Sequence, residues 1–201
     1  MRIPSAVQLG FLAVLSLAAA ANAQSPVRGV FRVGLENGGE KVLQFEYSDG
    51  TTPDVPAGGG LLITGGLAGS MFERGGHALD AQVSAGLKYR TIPPATNQDV
   101  TWLRFPVEGM LFYRTPVGLR FGAGAAVHLH NVMAASGAVV NDRVSFRNKP
   151  GMLLQTEYVR RNWAFDLRYT AMTYEVESGG TGDVGASSFG VGASFFVGRG
   201  K

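Results

Sequence analysis

The sequence predicts an all-β protein, an eight-stranded antiparallel up-and-down β-barrel that crosses a membrane with its strands. Three observations predict it. Apolar side chains recur at every second position rather than every third or fourth. The opposite face of the same segments mixes Gly, Ala and Ser with single charged residues. The connections between segments alternate between very short and long. The chain has 201 residues, 45% hydrophobic and 16% charged, with 29 glycines and no cysteine. That composition fits one β domain held together without disulfides.

Residues 1–23 read as a secretory signal, with Arg2, the apolar run LGFLAVLSLAAAANA and a small-x-small site at Ala21-Asn22-Ala23. The run is too short and too Ala-rich to prefer staying as a spanning helix. Residues 24–201 are then the barrel domain.

The first strand is read over 29–48, where Phe31, Val33 and Leu35 precede NGGE, and Leu43, Phe45 and Tyr47 follow it. One long strand with a glycine bulge at Gly38-Gly39 is the reading adopted. The alternative is a hairpin turn at Asn37-Gly38, which raises the count to nine. The second strand, 61–71, keeps Leu61, Ile63, Leu67 and Met71 on one side. In the third, 79–90, Leu79, Ala81, Val83, Ala85, Leu87 and Tyr89 alternate with Asp80, Gln82, Ser84, Gly86, Lys88 and Arg90.

The fourth, 101–114, reads TWLRFPVEGMLFYR and sets Arg104 and Glu108 inside an otherwise apolar run. A helix would bring that pair together, but Pro106 between them opposes it. In a strand the same proline forfeits one ladder bond, so a bulge or a water must compensate. The remaining strands are read at 119–130, 152–159, 165–174 and 188–197. Residues 121–140 are uncharged and long enough for a helical span. His128, His130 and Asn131 at their centre and a period of two through Leu129 favour a strand running into a loop.

A soluble barrel with an apolar inside also alternates. Lipid outside is favoured by the small residues beside long charged ones, which suit a cramped interior better than a solvated face. The inward acids are Glu36, Glu46, Asp80, Glu108, Glu157 and Asp166; the inward bases are Arg32, Lys88, Arg90, Arg104, Arg120 and Arg168. Six against six is the balance that scarce water demands, because an unpaired buried charge costs several kcal/mol. Tyr89 and Trp102 near the long connections, and Tyr113, Tyr158 and Trp163 near the short ones, read as two interfacial girdles. From Leu103 to Tyr113 a strand rises roughly 33 Å, or about 25 Å of membrane depth once tilted.

The short connections are ERGGHA, TP and RN; the longer ones are 49–56, 91–100, 132–147 and 175–186. Such alternation characterises outer-membrane barrels with periplasmic turns. The pattern resembles the small eight-stranded outer-membrane barrels of Gram-negative bacteria, the group that includes the OmpA transmembrane domain, OmpX and OmpW. The resemblance is architectural and covers residues 24–201. It implies contact with outer-membrane lipid and lipopolysaccharide, a monomer, and insertion by the barrel-assembly machinery. Those barrels finish on an aromatic residue, whereas here Phe195-Phe196 is followed by VGRGK. Residues 38–60, with GGEKVLQFEYSDG and VPAGGG, resemble a recurring feature of proteobacterial barrel proteins.

For function, Lys and Arg scattered singly among acids exclude a nucleic-acid stripe, and no cofactor is expected. Arg104 and Glu108 lie roughly 13 Å apart on one face, so each needs a cross-strand partner, with Asp80, Lys88 and Arg120 as candidates. That network is either a solid polar core or a gate on a narrow solute path. His128 and His130 share one face about 7 Å apart, too wide for one metal without distortion. Lipid A-modifying chemistry needs a marked nucleophile, and neither a His-x-Ser pair nor the context of Ser187, Ser188 or Ser194 supplies one. The expected role is structural or surface interaction through the long loops, with small-solute passage as the alternative and a lipid A-modifying enzyme as the second.

Overall fold

A computed structural model describes residues 27–44, 54–92, 98–137, 142–177 and 182–198. The signal segment 1–23 and Glu46, with its neighbours Phe45 and Tyr47, lie outside the described residues. Thirteen strands run in chain order: β1 (Arg28–Asn37), β2 (Lys41–Gln44), β3 (Asp54–Pro56), β4 (Gly60–Arg74), β5 (His77–Ile92), β6 (Gln98–Arg114), β7 (Leu119–Gly137), β8 (Asp142–Asn148), β9 (Gly151–Arg160), β10 (Trp163–Ala171), β11 (Thr173–Val176), β12 (Asp183–Gly185) and β13 (Ser188–Val197).

Eight of them close a ring in the order β7-β6-β5-β4-β1-β13-β10-β9, and β9 returns to β7. Every neighbouring pair in that ring is antiparallel. Closure removes the unpaired edge that an open sheet would offer to another chain. The other five strands lengthen the wall at one end. Lys149–Pro150 interrupts what is otherwise one strand from β8 to β9, and β11 and β12 continue β10 and β13.

The first strand settles the count. β1 pairs with β4 up to Glu36↔Gly60, and β2 pairs with β3 from Lys41↔Pro56. Ala57 N donates to Glu40 O at 2.8 Å and Gly58 N to Gly38 O at 2.9 Å, carrying the ladder across the gap. The chain therefore keeps its direction through Gly38 and Gly39, whose φ values of 132° and 89° a side chain would strain. One bulged strand, not an extra hairpin, gives eight strands.

The short connections are the turns at Gly75-Gly76, Thr115–Gly118 and Arg161-Asn162, all at one end. Both glycines of the first have positive φ, 61° and 81°, the twist a two-residue hairpin requires. At the other end the strands run further than the periodicity suggested. Residues 132–137 and 142–147, read as loop, belong to β7 and β8, and residues 183–185 form β12. The physical reason is a second core, described below, that only these extensions can bury.

Pro106 receives its compensation on both sides. The β5–β6 ladder runs to Ala85↔Val107 and resumes at Lys88↔Arg104, passing over the proline. On the β7 side a bulge falls between Leu103↔Val132 and Phe105↔Leu129, with His130 at φ 48° inside it.

Polarity across the wall is the reverse of a soluble barrel. Leu35, Leu167 and Phe189 point outward at 62%, 65% and 72% exposure, while Arg104 on the inner face is 0% exposed. Phe31, Leu67, Leu111, Phe121, Leu154 and Phe165 are exposed on the same face around the ring, an apolar surface of a kind that water-soluble monomers rarely carry. Hydrocarbon is its natural solvent.

Candidate functional site

The site is the barrel interior, and strand parity builds it. Of the twelve residues assigned inward, Arg32, Glu36, Asp80, Lys88, Arg104, Glu108, Arg120, Glu157, Asp166 and Arg168 are buried, Arg90 is half-buried, and Glu46 is outside the described residues. Five carboxylates thus face five buried bases.

At the short-turn end, Asp80 accepts from Ser70 Oγ at 2.5 Å and from Arg114 at 3.3 Å, and lies 3.3 Å from Arg120. Arg120 also donates to Glu157, which in turn accepts from Gln155 Nε2 at 2.7 Å. Midway, Arg168 grips both oxygens of Glu108 at 2.7 and 3.0 Å and donates to Gln155 Oε1 at 2.7 Å. Arg32 and Asp166 form a second two-bond pair at 2.6 and 3.1 Å. Lys88 reaches Glu36 at 2.5 Å, and Ser188 Oγ donates to the same oxygen at 3.0 Å. Two-bond arginine–carboxylate pairs fix geometry as well as charge.

Glycines open the room these groups occupy. A Cβ on Gly192 would stand 2.7 Å from both Arg32 Nη2 and Asp166 Oδ2, and one on Gly190 would stand 2.5 Å from Glu36 Cγ. The alternation of Gly with charge is therefore a packing pattern.

The partners differ from the cross-strand expectation. Glu108 on β6 meets Arg168 on β10 across the lumen and Ser84 Oγ at 3.3 Å, rather than Asp80, Lys88 or Arg120. Lys88 and Arg104 are register neighbours with like charge. Arg104 meets no carboxylate among the described residues; it donates to the carbonyls of Ala57 and Gly59 and stacks over Trp102 at 4.6 Å. Arg120 and Glu157 are register partners on β7 and β9, but an eight-stranded cylinder is narrow enough for long side chains to cross it, so ladder neighbours do not decide the Glu108–Arg168 pairing.

Beyond Arg104 the wall changes polarity. Val100, Trp102, Met133, Phe146 and Tyr174 pack inside with Val55, Ala57 and Ala186 as one apolar cluster. Outside, Arg147 pairs with Glu177 at 3.0 Å and Lys149 with Asp183 at 2.7 Å. Here apolar faces in and charge faces out, as in a barrel standing in water.

Trp102, read as an interfacial aromatic, is instead 0% exposed within this cluster. Its Nε1 donates to Asn131 Oδ1 at 2.6 Å, and its ring stacks on Phe146 with centroids 5.2 Å apart. Its parity with Arg104 demands that side. Tyr89, Tyr113, Tyr158 and Trp163 do face outward.

The two histidines separate as well. The bulge turns His130 outward against Phe105, while His128 stays buried with Nδ1 2.6 Å from Tyr174 Oη. Among the described residues, no group of three or more His, Cys, Asp or Glu could hold a metal. Ser188 is committed to Glu36, and Gln155, Asn131 and Tyr174 join the interior although the charge pattern alone did not single them out.

No family model matches the chain, and no curated protein matches it. Solved structures do. The attachment invasion locus protein Ail of Yersinia pestis is 10% identical, covers 85% of this chain and 97% of its own, and superposes with a TM-score of 0.51. Its complex with the heparin analogue sucrose octasulfate is 9% identical, covers 86% and 99%, and gives 0.50. Neisserial surface protein A is 11% identical over 86% and 98% with a TM-score of 0.39. The chain has the fold of the small eight-stranded outer-membrane β-barrels.

Proposed function

We propose that this protein is an outer-membrane barrel whose membrane section is a sealed, charge-cross-linked pillar and whose protruding end serves surface interaction. The observation that carries the reading is the change of polarity along the wall at Arg104. Below it the arginine–carboxylate network fills the lumen together with Met110, Phe112 and Leu153; above it charged pairs give way to Trp102, Phe146 and Tyr174, which close the mouth at 0%, 3% and 0% exposure. Both layers support a shut lumen, and the paired charges on the outside of β8, β11 and β12 support a water-standing collar.

A collar on a rigid base suits recognition, because its surface is positioned by a scaffold that does not deform. Ail, which shares the fold, is the attachment invasion locus protein of Yersinia pestis. Contact with lipopolysaccharide around the collar, a monomeric state and insertion by the assembly machinery belong to the same reading. A catalytic role receives no support from His128, whose described partner is the Tyr174 phenol.

Planar-bilayer recording tests the seal. The wild-type barrel is expected to give no steady single-channel conductance. Open, ion-conducting steps that vanish or change size in Glu108→Ala would replace this reading with a gated solute path.

A further inference from the structure

We infer that the β9–β10 turn is a binding site for an anionic phospholipid of the leaflet on the short-turn side. The inference rests on the membrane-spanning reading. Arg160 ends β9, Arg161 sits in the turn at φ 58°, and Trp163 opens β10. Arg160, Arg161, Trp163 and Phe165 surround one cleft on the outer wall. Its floor is apolar: Trp163 and Phe165 are 52% and 63% exposed, and Trp163 lies against Phe195 with centroids 4.9 Å apart. Its upper edge is two exposed guanidinia.

Charge decides the occupant. At the opposite end of the barrel Lys41, Arg147 and Lys149 each meet a carboxylate, at 2.6, 3.0 and 2.7 Å. Arg160 and Arg161 meet none among the described residues. The strands packed against the turn offer Tyr158, Val159, Phe195 and Phe196; the nearest acid along β9, Glu157, faces inward onto Arg120.

Trp163 and Tyr158 set the height. Exposed aromatic rings of this kind settle at the headgroup boundary, with hydrocarbon against Phe165 and phosphate level with the arginines. A phosphodiester bridging the two guanidinia, with an acyl chain along Trp163 and Phe165, satisfies both edges of the cleft. A zwitterionic headgroup brings its own ammonium to the same place and loses part of that attraction.

The two tryptophans make the test direct, because Trp163 faces lipid and Trp102 is enclosed. The barrel is refolded into vesicles of mixed phosphatidylglycerol and phosphatidylcholine, with one or the other carrying brominated chains, and tryptophan quenching gives the relative lipid affinity at Trp163. Phosphatidylglycerol is expected to be preferred by about fivefold for each guanidinium engaged. Arg160→Gln with Arg161→Gln should bring the ratio to about one, and Arg160→Lys with Arg161→Lys should keep a preference. Heat-modifiable gel mobility verifies that each variant is folded. Equal quenching by the two lipids in the wild type, or an unchanged preference in the glutamine variant, overturns the site. Absence of quenching by either lipid would instead overturn the membrane reading beneath it.

Discussion

Removing the Asp166 carboxylate should damage the barrel far more than removing a surface charge. Arg32 is 1% exposed and its two bonds to Asp166, at 2.6 and 3.1 Å, are its described ion-pair contacts. Arg32 Nη1 already lacks a hydrogen-bond partner. In Asp166→Ala the guanidinium stays enclosed by the backbone of Gly34 and Gly192 with no paired carboxylate, since Glu36, the other acid that acts on it, is held by Lys88. Breaking a buried pair from one side costs about 3–5 kcal/mol, because the orphaned ion keeps its desolvation penalty. Replacing both partners by apolar groups, as in Arg32→Met with Asp166→Leu, should recover most of that loss. Equilibrium urea unfolding in phospholipid vesicles, followed by tryptophan fluorescence, measures both. A loss below about 1 kcal/mol for Asp166→Ala, the range of an exposed ion pair, would refute the claim that water is excluded from this layer.

Other outcomes follow from the same geometry. Gly192→Val should lower stability by about 1–3 kcal/mol through overpacking against the Arg32–Asp166 pair. Gly65→Ala, whose added carbon meets nothing within 4 Å on the outer wall, should stay within about 0.5 kcal/mol in the same assay. In a Trp163→Phe background, Trp102 should emit at short wavelength and resist both acrylamide and brominated-lipid quenching, since it is enclosed between Phe146, Tyr174 and Arg104. An acrylamide-accessible Trp102 would mean an open mouth.

Much of the fold was legible because a period of two fixes each side chain's face wherever the ladder is regular. β9 shows this most plainly: Leu153, Gln155 and Glu157 are buried, and Met152, Leu154 and Tyr158 are exposed. Reading failed where regularity did. The bulge opposite Arg104 shifts phase between His128 and His130, and nothing in the residues HLH announces it apart from Pro106 on the neighbouring strand. Trp102 was misplaced for a different reason. An aromatic near a strand end suggests a girdle, but this strand leaves the membrane before it ends, and beyond that point the inner face becomes the apolar one. The same change hid the extensions of β7 and β8, whose Met133 and Phe146 looked like loop residues until a core existed to receive them. Salt-bridge partners that cross the lumen were the least legible: Arg120 and Glu157 are ladder neighbours, but Glu108 and Arg168 are not, and no ladder position encodes a crossing.

The central claim is that lipid bathes the outer wall up to the level of Arg104 and water bathes it above. Nitroxide accessibility along one continuous outer stripe, at Leu167→Cys on β10 and Glu175→Cys on β11, tests it most directly. The account predicts that oxygen relaxes the label at 167 more strongly than a water-soluble nickel chelate does, and that the order reverses at 175. A label at 167 relaxed chiefly by the chelate would contradict it.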